Sequence, residues 1–252
     1  MHDVPVSQWD DYHVEFPSDH LKSNYKQMKK TLLLFVFILQ TPVLLYAQKE
    51  VGVFPKTYWS SGGEWIFSAG TVEGYNNVLR WAPVFNVQNV LNFDKSQNFG
   101  WFTGVNVRNV GFIFDESPSI RKKVRTYNIG VPLGVKFGDL NNQFFFAGYE
   151  LEWAVNYRER TFIDERRVDR FNVWFSDRVN NWQSSLFAGI SLPGGTDIKL
   201  KYYLTEFFNR DFTVVDPNTG VISRPYQDFR ANVFTISLSF NVFKQGQFVV
   251  GE

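Results

Sequence analysis

A chain whose side chains switch between apolar and polar at every second residue has few ways to fold, and this one does so from about residue 64 to 243. Alternation with period two sorts side chains onto the two faces of a β-strand. It is clearest at 125–138, where Tyr127, Ile129, Val131, Leu133, Val135 and Phe137 alternate with Thr126, Asn128, Gly130, Gly134, Lys136 and Gly138. The stretch 144–158 repeats it, with Phe145, Ala147, Tyr149, Leu151, Trp153, Val155 and Tyr157 set against Glu150, Glu152, Asn156 and Arg158. On a helix Glu150 would share a stripe with Trp153 and Ala154, which separates nothing. Looser versions occur at 64–73, 81–93, 99–114, 182–192, 197–208 and 230–243, which predicts eight strands in all.

What precedes the alternation looks like an export signal. Met28-Lys29-Lys30 leads into the apolar run Leu32–Leu39, followed by Pro42 and the small residue Ala47. A basic start, a short apolar run and a small residue at the cut describe a secretory signal peptide. Cleavage is expected after Ala47. A spanning helix needs about 20 mainly apolar residues, and Thr31–Ala47 is shorter and holds Gln40, Thr41 and Pro42. Residues 1–27 carry five acids and read as a leader or a start placed too early. The expected layout is a signal at 28–47, a periplasmic segment at 48–63, a barrel at 64–243 and a tail at 244–252.

Composition then removes whole classes of function. All three histidines and both methionines precede residue 48, and the chain has no cysteine. An exported domain without His or Cys lacks the usual general base, the thiol nucleophile and the soft metal ligands. No catalytic residue, cofactor or metal site is expected. Calcium at Asp164, Glu165 and Asp169 is the weaker reading of a charged loop, since no glycine-containing twelve-residue pattern accompanies them. Charge is nearly balanced, with Lys+Arg 26 and Asp+Glu 25, so no nucleic-acid partner is expected.

The connections alternate in length. Asp94–Asn98, Asp139–Gln143 and Pro193–Thr196 are short and rich in turn residues; of the others, 74–80 is only slightly longer, 115–124 is longer, and 159–181 and 209–229 are long and charged. Short periplasmic turns and long external loops are the habit of an up-and-down outer-membrane barrel. Large aromatics cluster at expected strand ends. Trp81, Tyr127, Tyr157 and Trp182 are expected at the outer interface, and Phe93, Trp101, Phe137 and Phe145 at the inner one. The fold class expected is all-β: an eight-stranded antiparallel up-and-down transmembrane β-barrel in the outer membrane of a Gram-negative bacterium, with outer-membrane lipid around it.

Alternation alone does not say which face points outward, and a soluble periplasmic ligand-binding barrel would put the apolar face inside. The polar face argues for the membrane form. It is rich in glycine and carries Arg108, Lys136, Glu150, Glu152, Arg158, Lys199 and Lys201, with the signs mixed as interior ion pairs need. Arg108, Lys136, Glu150, Glu152, Lys199 and Lys201 form the expected interior network, which leaves a narrow solute pore as a lesser reading. One residue dissents: Pro132 sits inside the best strand, where it removes a ladder donor, and a bulge or kink is expected there.

The signal ending Tyr46-Ala47-Gln48, the stretch Tyr127-Asn-Ile-Gly-Val-Pro-Leu-Gly-Val-Lys-Phe137 and the eight-strand layout together resemble the PorT-like outer-membrane β-barrel proteins. An Ile/Val-Pro-Leu strand ending in Lys recurs in that family, and Val131-Pro132-Leu133 with Lys136 looks like it. The resemblance would account for the proline. The resemblance itself implies little about function beyond a link of named members to protein secretion. Together with the fold signals and the absent catalytic residues it leads to the expectation of a non-enzymatic structural or interaction barrel, with a secretion or envelope machine as partner. The segment 159–181 departs from the family. It mixes Arg166, Arg167 and Arg170 with Phe171 and Trp174, a set suited either to binding a surface ligand or to strands running on past the membrane.

Overall fold

In the computed structural model, residues 54–215 and 219–245 can be described, the last three as backbone only; all belong to the unit Gln48–Glu252. The expected signal at 28–47, the leader and the tail lie outside those residues. Every regular element described is a strand. In chain order they are β1 (Lys56–Val72), β2 (Asn76–Val78), β3 (Arg80–Ala82), β4 (Val87–Asp94), β5 (Phe99–Ser117), β6 (Ile120–Gly138), β7 (Phe144–Ile163), β8 (Arg166–Trp174), β9 (Trp182–Leu192), β10 (Thr196–Tyr203), β11 (Val214–Val215), β12 (Ile222–Ser223) and β13 (Ala231–Gln245).

Eight of these close a ring. The order β13-β10-β9-β7-β6-β5-β4-β1 is antiparallel at each step, and β1 pairs back onto β13 from Trp59↔Gln245 to Val72↔Ala231. The protein is an eight-stranded antiparallel up-and-down β-barrel. Closure leaves no open edge along the wall. The three short turns fall where the sequence places them, at 95–98, 139–143 and 193–195. The first strand begins at Lys56, inside the segment expected to be periplasmic.

The polarity of the barrel is inverted relative to a soluble one. Leu133 is 61% exposed on the outer face, while Glu152 on the inner face is 0% exposed. The register joins the outward residues into continuous apolar rows. One runs Leu133, Tyr149, Leu186, Tyr202 and Phe234 across β6, β7, β9, β10 and β13. Two residues below it runs Val135, Ala147, Ala188, Leu200 and Ile236. An apolar belt of this extent facing outward is stable against hydrocarbon and not against water. On β6 the belt extends from Phe137 to Tyr127, about 25 Å in height for a strand tilted roughly 40°.

Three departures from simple alternation matter. First, β6 and β7 pair as Tyr127↔Asn156 and then Asn128↔Ala154, so Val155 is an extra residue on β7. A bulge of this kind shifts every later side chain to the other face. Tyr157, expected in the outer aromatic belt, is therefore fully buried inside the barrel, and Arg158, expected inside, points out. Second, Pro132 causes no register shift. The β5–β6 ladder simply lacks the pairs between Thr103↔Leu133 and Asn106↔Gly130, and the Thr103 hydroxyl donates to the Pro132 carbonyl at 2.8 Å.

Third, the strand after β1 is broken. β2 pairs with β5, β3 pairs with β1, and Pro83–Asn86 separates β3 from β4. Side chains fill the missing ladder. Arg80 donates to the Asn109 carbonyl at 3.2 Å and to the Asn109 side chain; Asn86 bonds the Glu64 and Ala82 carbonyls and accepts from the Asn109 amide at 2.8 Å.

The loops expected at 115–124 and 159–181 are largely strand. β5 and β6 run on to a tight hairpin at Ser117–Ile120, and β8 folds back onto β7. They carry the wall well beyond the apolar belt.

Candidate functional site

The interior is stacked in layers. At mid-height, Glu64, Glu150 and Glu152 meet Arg108, Lys199 and Lys201. Arg108 Nε lies 2.8 Å from Glu64, and its Nη1 touches Glu150 and, at 3.4 Å, Glu152. Lys201 Nζ is 2.6 Å from both Glu150 and Glu152, and Lys199 Nζ is 2.7 Å from Glu64. Three anions face three cations, so the layer is neutral. Neutral donors complete it. Tyr203 donates to Glu152 at 2.9 Å, Asn128 to Glu152 at 2.7 Å, Asn106 to Glu150 at 2.9 Å and Ser237 to Glu64 at 2.5 Å. A buried charge is tolerated only when paired and hydrogen-bonded in this way.

Two local features make the layer fit. Glu150 and Glu152 project inward from β7 below the Val155 bulge, at alternate positions. Opposite them stands Gly130, where an added Cβ would lie 2.5 Å from a Glu150 carboxylate oxygen. Only glycine leaves room there.

Of the six residues expected in an interior network, the structure brings together Arg108, Glu150, Glu152, Lys199 and Lys201. Lys136 stands apart, nearer the short turns, paired with Asp94 and donating to Asn92 at 2.9 Å. Sequence reasoning missed Glu64, whose strand alternates weakly; its parity with Ile66 and Ser68 was the available signal.

Above the charged layer the lumen is packed with apolar side chains: Val110, Phe112, Val124, Tyr157, Phe207, Phe208 and Val233 among them, with Tyr226 and Phe229 against them. The last four aromatics come from the connection between β10 and β13. Below it, Phe102, Phe146 and Phe187 form a second cluster. Beside that cluster a vestibule of about 120 Å³ opens among Tyr58, Asn92, Lys136 and Phe144 and ends on Arg108, Glu150 and Lys199. It has room for a cluster of waters.

The three carboxylates of the layer are each held by cations, whereas Asp197, lower in the lumen, accepts from the Asn241 side chain at 3.0 Å. No group of three or more His, Cys, Asp or Glu among the described residues is placed to hold a metal ion.

The surface set expected at 166–174 divides. Arg167 and Arg170 lie on the outward face of β8, paired with Phe162 and Arg160 of β7. Arg166 pairs with Ile163 on the opposite parity. Phe171 pairs with Glu159, turns inward and packs against Tyr157 at 6.2 Å. Trp174 is exposed beside Phe175.

Inverted polarity, ring closure and a filled lumen define the class: a small membrane-type β-barrel with a charged, sealed interior. No protein-family model matches the chain, and no curated protein matches it. Among solved structures it is similar to Ail, the attachment invasion locus protein of Yersinia pestis, at 12% identity and a TM-score of 0.38, over 74% of this chain and 97% of that one. It is also similar to Neisserial surface protein A, at 9% identity and a TM-score of 0.36, over 74% and 97%. Likeness at this level passes no activity to the chain, and the barrel assignment stands on the strand pairing itself.

Proposed function

We propose that this chain is an integral barrel of the outer membrane of a Gram-negative bacterium, with a structural or interaction role and no enzymatic activity. The observation that carries the reading is the pairing of an apolar exterior with a lumen sealed by ion pairs and aromatic rings. A barrel that neither conducts nor catalyses acts through what it presents. Here that is the extended wall of β5–β8 and the connection between β10 and β13, all on one side of the belt.

The test is fractionation with conductance. The protein is expected in the outer-membrane fraction, with a folded form that migrates faster on unheated gels. Planar bilayers holding it are expected to show no single-channel currents above leak. Recovery in the soluble periplasm would overturn the membrane assignment, and steady unitary currents would restore the narrow-pore reading.

The strand Gly130-Val131-Pro132-Leu133-Gly134 with Lys136 supports the narrower PorT-like reading, in which the barrel serves a secretion or envelope machine. Mild-detergent purification should then recover a stoichiometric envelope partner. A barrel that purifies alone under crosslinking would sink that narrower reading and leave the broader one standing.

A further inference from the structure

The register places cations side by side on the outward face just above the apolar belt. Arg125 of β6 pairs with Arg158 of β7; Lys123 pairs with Arg160, which pairs in turn with Arg170 of β8. Like charges directly opposed on one face of a sheet destabilise it. The outward neighbours offer ring faces rather than counter-ions: Lys123 lies 5.4 Å from the Phe162 ring and Arg125 5.3 Å from the Tyr127 ring. The row above holds Asp115, which is already engaged by Arg121 at 2.6 Å and by Asn76 at 3.1 Å. Glu159 turns inward and accepts from the Tyr157 hydroxyl at 2.6 Å. The Nε atoms of Arg158 and Arg160 are shielded from solvent and have no hydrogen-bond partner.

These cations border a cleft of about 380 Å³ beside the broken strand. Its other side is apolar: Leu79, Trp81 and Val84 are exposed there, close to the top of the lipid-facing belt. Arg125 lies one outward position beyond Tyr127, about 5 Å above the belt for a tilted strand. That is headgroup height. The cleft therefore offers a cationic wall and an apolar one, which is the division found in a lipid bearing phosphate.

We propose that the cleft formed by Lys123, Arg125, Arg158 and Arg160 with Leu79 and Trp81 binds the phosphate of an anionic outer-leaflet lipid, the acyl chains lying along the belt below. The proposal rests on the membrane assignment above, and that assignment can hold even where this site fails. Arginine suits it, since its planar fork takes phosphate oxygens in pairs.

The experiment uses the folded barrel in detergent micelles and fluorescent lipid A in two forms, with both phosphates and with none. The phosphorylated form is expected to bind more tightly. The double variant R158Q/R160Q is expected to weaken it about 25-fold, at roughly fivefold for each cation lost near an anionic surface. It should leave the dephosphorylated form unaffected. Equal binding of the two lipids, or an unchanged affinity in the double variant, would overturn the proposal. Inorganic phosphate, added as competitor, is expected to displace the lipid only at far higher concentration; displacement at matched concentration would make free phosphate the ligand and overturn the lipid. If the variant loses its fast-migrating folded form, the comparison of the two lipids on the unaltered protein decides alone.

Discussion

β7 carries two kinds of charge a few residues apart. Glu150 and Glu152 point into the barrel, where each meets opposite charges within hydrogen-bond reach. Arg158 and Arg160 point out, where the paired residues on neighbouring strands are Arg125, Lys123 and Arg170. One extra residue, Val155, separates the two regimes. Composition does not distinguish them, since both are runs of charge in an alternating strand. What distinguishes them is whether the charges are answered inside the molecule. Answered charges serve the fold; unanswered ones point to something outside it.

The largest expected effect breaks the interior. Replacing Glu152 by alanine leaves Lys201, Arg108, Tyr203 and Asn128 short of an acceptor in a sealed lumen. Breaking a buried ion network in this way costs about 3–5 kcal/mol, to be read by urea unfolding in lipid vesicles. A loss under about 1 kcal/mol would mean water reaches the layer. Next comes Gly130→Val, which pushes a side chain against the Glu150 carboxylate without removing any charge. Overpacking should cost about 1–3 kcal/mol in the same assay.

The rim should behave in the opposite sense. Arg160→Gln removes two like-charge cross-strand pairs, so the lipid-free barrel should gain roughly 0.2–1 kcal/mol. A substitution that strengthens the bare protein while weakening its hold on phosphate would separate the two regions cleanly; a clear loss of stability would show that the rim cations are structural.

The smallest effect belongs to Asp115 on the exposed hairpin. Arg121 holds its carboxyl below the usual value of 3.8, chiefly by hydrogen bonding. A depressed folded value means that this contribution is present above the unfolded value and fades as pH falls through the folded one. The pair is solvent-exposed, so only a slight acid-side difference from Asp115→Asn is expected in an unfolding titration.

Much of the wall was legible in the residues. From Trp101 to Val107, Ile129 to Phe137 and Phe145 to Trp153, strict alternation places each side chain on its observed face, because every second residue must meet either lipid or a crowded lumen. The three short turns were legible from their Gly, Asn, Asp and Pro. Legibility failed where the ladder departs from period two. Nothing local marks Val155 as a bulge, so Tyr157 and Arg158 were assigned to the wrong faces. The break at Pro83–Asn86 depends on Arg80 and Asn86 reaching carbonyls on other strands, a tertiary fact. The rim site was half legible: Arg121, Lys123 and Arg125 share parity with Tyr127, but their counterparts on β7 become visible only once the bulge is known.

The aromatic packing at the outer end of the lumen has a mechanical consequence. Phe207 and Phe208, just after β10, and Tyr226 and Phe229, just before β13, sit among residues of the wall, with Phe208 stacked on Tyr226 at 4.5 Å. The long outer connection is thus rooted at both ends inside the ring. A pull on it is resisted by ring against ring and passed into the strands, as a stopper passes load to the neck it fills.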